Sequence, residues 1–85
     1  MKLRDVMNTI PTKAVNADLD MEITGVSSDS RTVKDGYVFI AVKGYETDGN
    51  KYIPAAINAG AVCVLSESLP ENVTGIEVED SRKAL

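Results

Sequence analysis

One apolar run in the middle of the chain constrains the fold more than any other feature. The segment "GYVFIAV" at residues 36–42 is almost continuously hydrophobic from Tyr37 to Val42. A strand with one buried face alternates apolar and polar residues, whereas a strand covered on both faces is apolar throughout. We therefore predict a central, doubly covered strand here. The segment "AVCVLSE" at residues 61–67 predicts a second buried strand.

The N-terminal segment has the apolar spacing of a short amphipathic helix. Its apolar residues fall at i, i+3, i+4 and i+7 on one helix face: Leu3, Val6, Met7 and Ile10. Pro11 ends this helix, because a proline disfavours helical backbone at the residue before it. Residues 14–20 are then predicted to be a connection, and "MEITGVSS" at residues 21–28 a strand that breaks at Gly25.

A second helix is predicted in "KYIPAAINAG" at residues 51–60. Ile53, Ala56 and Ile57 share one face of this helix. Gly60 follows as the expected C′ residue, where a left-handed backbone ends many helices.

The C-terminal third predicts a turn, a strand and the start of a helix. The turn is "LPENVTG" at residues 69–75, and the strand is "IEVE" at residues 76–79. In "DSRKAL", residues 80–85, Asp80 or Ser81 is the expected N-cap of a helix. Taken in order, the elements predict a single α/β domain, with a small mixed β-sheet covered by short helices.

Charge and composition exclude several classes of partner. The 85 residues carry a formal net charge of −4, so a broad basic face for nucleic acid is not expected. The aromatic content of 5% argues against a stacking platform for single-stranded nucleic acid. A few local donors would still be enough to bind a small anionic ligand.

The chain also lacks the signals of a membrane or secreted protein and of a catalyst. No stretch approaches the roughly 20 apolar residues of a membrane span, and the N-terminus has no apolar signal core. We therefore expect a cytoplasmic protein without a membrane partner. The lone Cys63, in an apolar run, predicts a buried hydrophobe. Because the chain has no histidine, we expect neither a metal site nor a catalytic constellation.

The first candidate loop is "SSDSR", residues 27–31. Hydroxyls and turn N–H groups at the end of a strand suit phosphate oxygens, and Arg31 could add a charge-assisted bond. A structural interpretation competes with this one. In it Asp29 makes an Asx-turn and pairs with Arg31, while the serines bond to local backbone. The pattern alone favours the structural interpretation.

The second candidate loop, residues 44–50, follows the predicted central strand and precedes a helix. Ligands often bind at such an edge of an α/β sheet. Tyr45 offers a ring face and Thr47 a hydroxyl. The competing interpretation is an ordinary loop with Asp48 and Gly49 as its turn, and spacing alone favours it. Neither loop has a glycine-rich ATP-binding signature, so the residues indicate a binder, not a catalyst.

Residues 29–67, "DSRTVKDGYVFIAVKGYETDGNKYIPAAINAGAVCVLSE", resemble the N-terminal domain of the Mur ligases. The matching frame has ungapped spacing over about half of the chain: Asp29, Ser30, Arg31, Gly36, Phe39, Ala41, Gly44, Asp48, Gly49, Ile53, Ala56, Gly60 and Ala61. The resemblance is greatest to the branch of the family that adds the third amino acid of the peptidoglycan stem peptide. "MKLRDV" and "DSRKAL" resemble the start of that domain and its junction with the next.

The resemblance implies that residues 1–85 are the UDP-binding N-terminal domain of a longer enzyme, whose central ATP-binding and C-terminal domains lie beyond them. The whole protein would be an ATP-dependent amide ligase that uses ATP and Mg²⁺. It would add L-lysine or meso-diaminopimelate to UDP-MurNAc-L-Ala-D-Glu in peptidoglycan precursor synthesis, and so serve cell wall biogenesis, cell shape and cell division. The fragment alone is expected to be monomeric and non-catalytic.

Contacts to the UDP moiety are carried over from the family by position: Ser28, Ser30, Tyr45, Glu46 and Thr47. Tyr45 would pack on the uracil, and Glu46 would contact through its backbone or the base, because a carboxylate repels a diphosphate. Asp29 and Arg31 are expected to be mainly structural. Asn50 stands where the family often has a histidine, which leaves a polar role there open.

Two alternatives remain at this stage. One is the N-terminal domain of the Mur ligase that adds a D-alanyl-D-alanine dipeptide, since that enzyme shares the Asp-Ser-Arg and Asp-Gly frame. The other is a freestanding, non-catalytic module that binds a nucleotide sugar.

Overall fold

A five-stranded mixed sheet lies at the centre of the computed structural model, which describes residues 1–8, 10–42 and 49–81. In chain order its strands are β1 Thr12–Asn16, β2 Gly25–Ser27, β3 Tyr37–Ala41, β4 Cys63–Ser66 and β5 Gly75–Val78. Their order in space is β1-β5-β4-β3-β2. Strands β2 to β5 run parallel, and β1 runs antiparallel to β5. The predicted mixed sheet is confirmed.

Short helices cover this sheet: α1 Leu3–Met7 and α2 Ile53–Ala59, with 3-10 turns at Ser30–Thr32 and Gly49–Tyr52. Buried side chains on the α1 side form one core cluster: Leu3, Met7, Ile23, Val38, Ile40, Cys63, Leu65, Ile76 and Val78. Those on the α2 side form another: Val33, Phe39, Ala41, Ile53, Ala56 and Val64. Successive residues of β3 and β4 alternate between the two clusters. Because both faces are covered, β3 is apolar throughout, as predicted, and β4 is apolar up to its last residue, the buried Ser66.

Helix α1 is only five residues long, and loop carbonyls satisfy its first N–H groups. Leu3 N–H donates to the Met21 carbonyl at 3.0 Å, and Arg4 N–H donates to the Leu19 carbonyl at 2.7 Å. A helix this short is not stable alone, so these bonds and the burial of Leu3 and Met7 hold it in place. The predicted helix is confirmed, although Ile10 lies beyond its end and packs on the same core.

Helix α2 lies within the predicted segment, residues 51–60, and ends at Gly60 as the sequence predicts. Pro54 lies in its first turn, where no intrahelical N–H is needed. Gly60 follows with φ 118°, and a Cβ there would meet the Asp35 backbone at 2.7 Å. One detail was wrong: Ile57, predicted on the buried face, is 44% exposed, because only Ile53 and Ala56 point into the core.

Strand β1 was missed, because the sequence predicted a connection over residues 14–20. All five β1 residues are exposed, so no apolar alternation marks them, and the strand depends on pairing with β5 far along the chain. The strand predicted over residues 21–28 is shorter than expected. It begins at Gly25 rather than breaking there. The Tyr37 ring lies across Gly25, and a Cβ at this position would come within 2.6 Å of the ring.

In the part of the chain that the structure describes, every helix falls short of the length and apolar content of a membrane-spanning segment.

Candidate functional site

The turn after β2 is built by the side chain of Asp29. Its Oδ1 accepts the N–H of Arg31 at 2.9 Å and so caps the 3-10 turn Ser30–Thr32. The Thr32 N–H donates to the Asp29 carbonyl at 3.0 Å. This geometry is an Asx-turn, in which a carboxylate replaces a backbone acceptor. The predicted Asx-turn is therefore present.

Ser27 belongs to the structure of this turn. Its Oγ accepts the N–H of Asp29 at 3.0 Å and contacts the hydroxyl of Thr32. The Thr32 hydroxyl in turn lies 3.0 Å from the Asp29 carbonyl. These bonds fix the backbone between β2 and the 3-10 turn, so Ser27 is not available to a ligand.

Asp29 and Arg31 form a bidentate ion pair. Arg31 Nε lies 3.1 Å from Asp29 Oδ1, and Nη2 lies 2.8 Å from Oδ2. Two hydrogen bonds from Arg31 lower the pKa of Asp29: the side-chain bond has the larger effect, and the backbone N–H bond the smaller. The same side-chain bond raises the pKa of Arg31. The Arg31 side chain remains 87% exposed, so the pair orients a charge toward solvent.

Ser28 and Ser30 differ from Ser27 in having uncommitted hydroxyls. Within residues 1–8, 10–42 and 49–81, no hydrogen bond engages either side chain. Ser28 is exposed and Ser30 is half-buried. Both line an open groove of about 490 Å³, together with Asp29, Arg31 and Tyr52. The groove therefore presents two hydroxyls, a guanidinium and an aromatic ring, which suits a ligand with anionic and apolar parts.

The groove lies where the parallel strands end. Ser27 of β2 is in register with Phe39 of β3, so these strands end at the same edge of the sheet, where α/β folds bind ligands. The turn with Ser28 and Ser30 leaves β2 at this edge, and the chain leaves β3 there at Val42. Three predicted contact residues lie outside the described residues: Tyr45, Glu46 and Thr47.

Residues 22–85, more than half of the chain, match the family described as "Mur ligase family, catalytic domain". The chain belongs to the Mur ligase family. The resemblance predicted from the sequence is confirmed.

Curated relatives agree with this assignment. The chain is 45% identical over 89 residues to the "UDP-N-acetylmuramoyl-L-alanyl-D-glutamate--2,6-diaminopimelate ligase" of Bacteroides fragilis, covering 100% of the chain and 18% of the relative. It is 52% identical over 67 residues to the enzyme of the same name from Chlorobaculum tepidum, covering 74% of the chain and 13% of the relative. The chain thus spans less than a fifth of the length of these relatives.

Solved structures give the same fold. MurF from Acinetobacter baumannii superposes with a TM-score of 0.80 over 98% of the chain and 19% of that protein, at 21% identity, which supports the fold alone. MurF ligase from Thermotoga maritima, solved in complex with ADP, has a TM-score of 0.64 and 31% identity over 74% of the chain and 16% of that protein.

Asn50 of this Mur ligase chain has a structural role. Its Nδ2 donates to the Ser68 carbonyl at 2.7 Å, and its Oδ1 accepts from the buried Ser66 hydroxyl. The Ser66 oxygen also accepts the Ser68 N–H at 3.0 Å. This cluster ties the 3-10 turn Gly49–Tyr52 to the end of β4, and the turn brings Tyr52 to the groove.

Tyr52 is the groove residue that sequence reasoning missed. It lies within residues 51–60, the segment predicted to be the second helix, and was given no role there. A signal did exist: Tyr52 falls on the outward side of the apolar pattern of that helix, and an exposed aromatic is uncommon in so aromatic-poor a chain.

Cys63 is buried, and desolvation raises the pKa of its thiol to about 11. A thiol held this far from ionisation is a poor nucleophile at neutral pH, so the prediction of a buried hydrophobe is confirmed.

The helix predicted to begin at Asp80 or Ser81 falls mainly on residues 82–85, outside the described part. Ser81 itself is buried, and its hydroxyl donates to Glu67 Oε2 at 2.7 Å. Within the described ranges, no group of three or more potential metal ligands occurs.

Proposed function

We propose that this chain is the N-terminal domain of an ATP-dependent amide ligase and binds the uridine diphosphate end of UDP-N-acetylmuramoyl-L-alanyl-D-glutamate. The observation that carries the proposal is the groove at the carboxyl edge of the sheet, with the uncommitted hydroxyls of Ser28 and Ser30 beside Arg31, in a chain of the Mur ligase family. The ligase would add 2,6-diaminopimelate as the third residue of the stem peptide.

The donors of the groove suit a diphosphate. A guanidinium has five N–H donors, and Asp29 accepts two of those of Arg31. Three N–H groups remain for phosphate oxygens, next to the hydroxyls of Ser28 and Ser30. Arg31 also offsets the charge of Asp29, which would otherwise repel an anion. Arg31, expected from the sequence to be mainly structural, thus serves both the turn and the ligand.

The curated relatives favour diaminopimelate over the two alternatives within the family. Those described above from Bacteroides fragilis and Chlorobaculum tepidum carry the name of the diaminopimelate-adding enzyme, at 45% and 52% identity. The likeness to MurF of Acinetobacter baumannii, at 21% identity, supports a shared fold and does not argue for the dipeptide-adding enzyme.

In this proposal the chain anchors one end of the substrate while other domains perform the chemistry. The whole protein would use ATP and Mg²⁺ in the cytoplasm, at sites outside this chain, to activate the far carboxylate. The T. maritima MurF ligase, solved with ADP, is consistent with nucleotide use elsewhere in such enzymes. The anchor then fixes the distance between the uridine and the reacting end.

The test is the dissociation constant of UDP, measured by ligand-observed NMR on the 85-residue chain and its variants. We expect weak binding near 1 mM, which corresponds to about 4 kcal/mol, because the 85-residue chain supplies only one of the domains proposed to form the cleft. Ser30→Ala removes one hydrogen bond and should raise the dissociation constant about fivefold.

The matched control is Thr74→Ala, which removes an exposed hydroxyl. Thr74 directly precedes β5 and so lies at the amino-terminal ends of the parallel strands, away from the groove. The dissociation constant of this variant should stay within about twofold of that of the unmodified chain. Absence of UDP binding to the unmodified chain, or equal weakening by both variants, would contradict the proposed function.

A further inference from the structure

Tyr52 is a half-exposed aromatic on the wall of the groove. Tyr52 is 41% exposed to solvent, whereas the next residue, Ile53, is 3% exposed. It lines the groove with Ser28 and Ser30, which come from the turn after β2. The ring is therefore brought to the serines by the fold and not by the local sequence, since it lies 22 residues beyond Ser30.

The residues on both sides of Tyr52 hold its backbone in place. Asn50 is hydrogen-bonded to Ser66 and Ser68 at the end of β4, and Ile53 is buried in the core of the α2 side. A ring on an anchored backbone loses little conformational freedom when a ligand packs on it.

One cation lies beside the ring, and a second lines the same groove. Lys51 Nζ lies 5.2 Å from the centroid of the Tyr52 ring, within the range of a cation–π contact. Arg31 lines the same groove, and Tyr52 is among the groups that raise the pKa of Arg31, after the larger contribution of Asp29. In a chain with a net charge of −4, these two cations favour an anionic ligand at this ring.

We propose that the Tyr52 ring is the surface on which the pyrimidine base of the nucleotide packs. This inference rests on the proposed function. A nucleoside diphosphate needs donors for its phosphates and a flat apolar surface for its base. Among the described residues of the groove, Ser28, Ser30 and Arg31 supply the donors, and Tyr52 is the aromatic one. The sequence had assigned this packing to Tyr45.

The test compares two ligands on three forms of the 85-residue chain. UDP and inorganic pyrophosphate are titrated into the unmodified chain, Tyr52→Phe and Tyr52→Leu. Stacking of a base on an aromatic ring contributes about 1–3 kcal/mol, so Tyr52→Leu should raise the dissociation constant of UDP about tenfold. Tyr52→Phe keeps the ring and should stay within about twofold. Pyrophosphate has no base, so its binding should be unchanged in both variants.

A second measurement needs no variant. Transferred nuclear Overhauser effects should connect the Tyr52 ring protons with H5 and H6 of the uracil in the unmodified chain. Their absence under conditions of saturating UDP would overturn the inference, even if Tyr52→Leu fails to fold.

The outcomes separate this inference from the proposed function. If the unmodified chain binds UDP and Tyr52→Leu binds it equally well, the role of Tyr52 is wrong and the UDP site stands. The same holds if Tyr45→Leu loses UDP and Tyr52→Leu does not. If Tyr52→Leu weakens UDP and pyrophosphate equally, the ring acts through Arg31 or the fold, and the base contact is refuted. If the unmodified chain binds no UDP, the proposed function itself fails.

Discussion

At the scale of single residues, three neighbouring serines have different surroundings. The Ser27 hydroxyl is bonded within the turn, whereas those of Ser28 and Ser30 face the groove without an intramolecular partner among the described residues. Ser27 therefore stabilises the turn, and the other two are available to a ligand. The division follows from how the Asx-turn of Asp29 directs each side chain.

This division predicts that two matched substitutions differ in their effect on stability. Ser27→Ala leaves the Asp29 N–H without its acceptor and should lower the free energy of unfolding by about 1 kcal/mol. Ser28→Ala removes an exposed hydroxyl and should change it by less than about 0.5 kcal/mol. Urea unfolding of both variants measures the difference. Equal stability of the two would show that Ser27 does not support the turn.

The Asp29–Arg31 pair predicts a specific pH dependence. The pKa of Asp29 is lowered in the folded chain, so the stabilisation by this pair is fully present above the ordinary pKa of an aspartate. It is lost as the pH falls through the lowered value. In an NMR titration of the Asp29 carboxyl carbon, Arg31→Gln should move the midpoint up toward the ordinary value. An unchanged midpoint would mean that the ion pair does not form in solution.

The residue pattern alone could not separate the serines, because the direction of a hydroxyl depends on the backbone of the turn. The family resemblance did separate them, since it implied UDP contacts for Ser28 and Ser30 and not for Ser27. The residue pattern did predict the Asx-turn and the ion pair, since both involve residues two apart. Tyr52 was missed because its position at the groove depends on contacts between distant parts of the sequence. Its role depends on a groove formed with residues 28–31, which are distant in sequence.

At the scale of elements, the buried strands and the helix with a buried face were predicted from the sequence, and the exposed strand was not. Strands β3 and β4 and helix α2 were predicted because two covered faces or one covered stripe leave a strong apolar pattern. Strand β1 leaves none: it is an exposed edge strand, and Lys13 with its neighbours faces solvent. An exposed edge strand of this kind is stabilised by its backbone hydrogen bonds to a partner strand, here β5. The sequence of residues 12–16 contains no pattern that predicts this pairing.

The polar cluster at the end of β4, formed by Asn50, Ser66 and Ser68, is expected to hold the wall of the groove in place. Asn50→Ala leaves the buried Ser66 hydroxyl without its acceptor and should cost about 1–3 kcal/mol of unfolding free energy. It should also weaken UDP binding, because the cluster holds the 3-10 turn that carries Tyr52.

Ser68→Ala is the matched control for this cluster, since Ser68 takes part through its backbone N–H and carbonyl. Its thermal unfolding and UDP affinity should match those of the unmodified chain. If Asn50→Ala behaves like Ser68→Ala in both measurements, the cluster does not support the groove.

At the scale of the whole molecule, the chain combines an overall negative charge with a local site for an anion. The net charge of −4 disfavours polyanions, whereas Arg31 lines the groove and Lys51 lies beside the Tyr52 ring on its wall. Such a surface selects a small ligand with two phosphates over a nucleic acid. Family membership and the fold were both accessible from the sequence, because the matching frame combines core positions with the residues of the turn.

The most direct test of the UDP-anchoring role is a map of backbone amide shifts of the 85-residue chain during titration with UDP. The shifts should concentrate at residues 28–31 and at Tyr52, with smaller changes across the rest of the carboxyl edge. Shifts concentrated at the opposite edge, around residues 72–74, with residues 28–31 unchanged, would contradict the account.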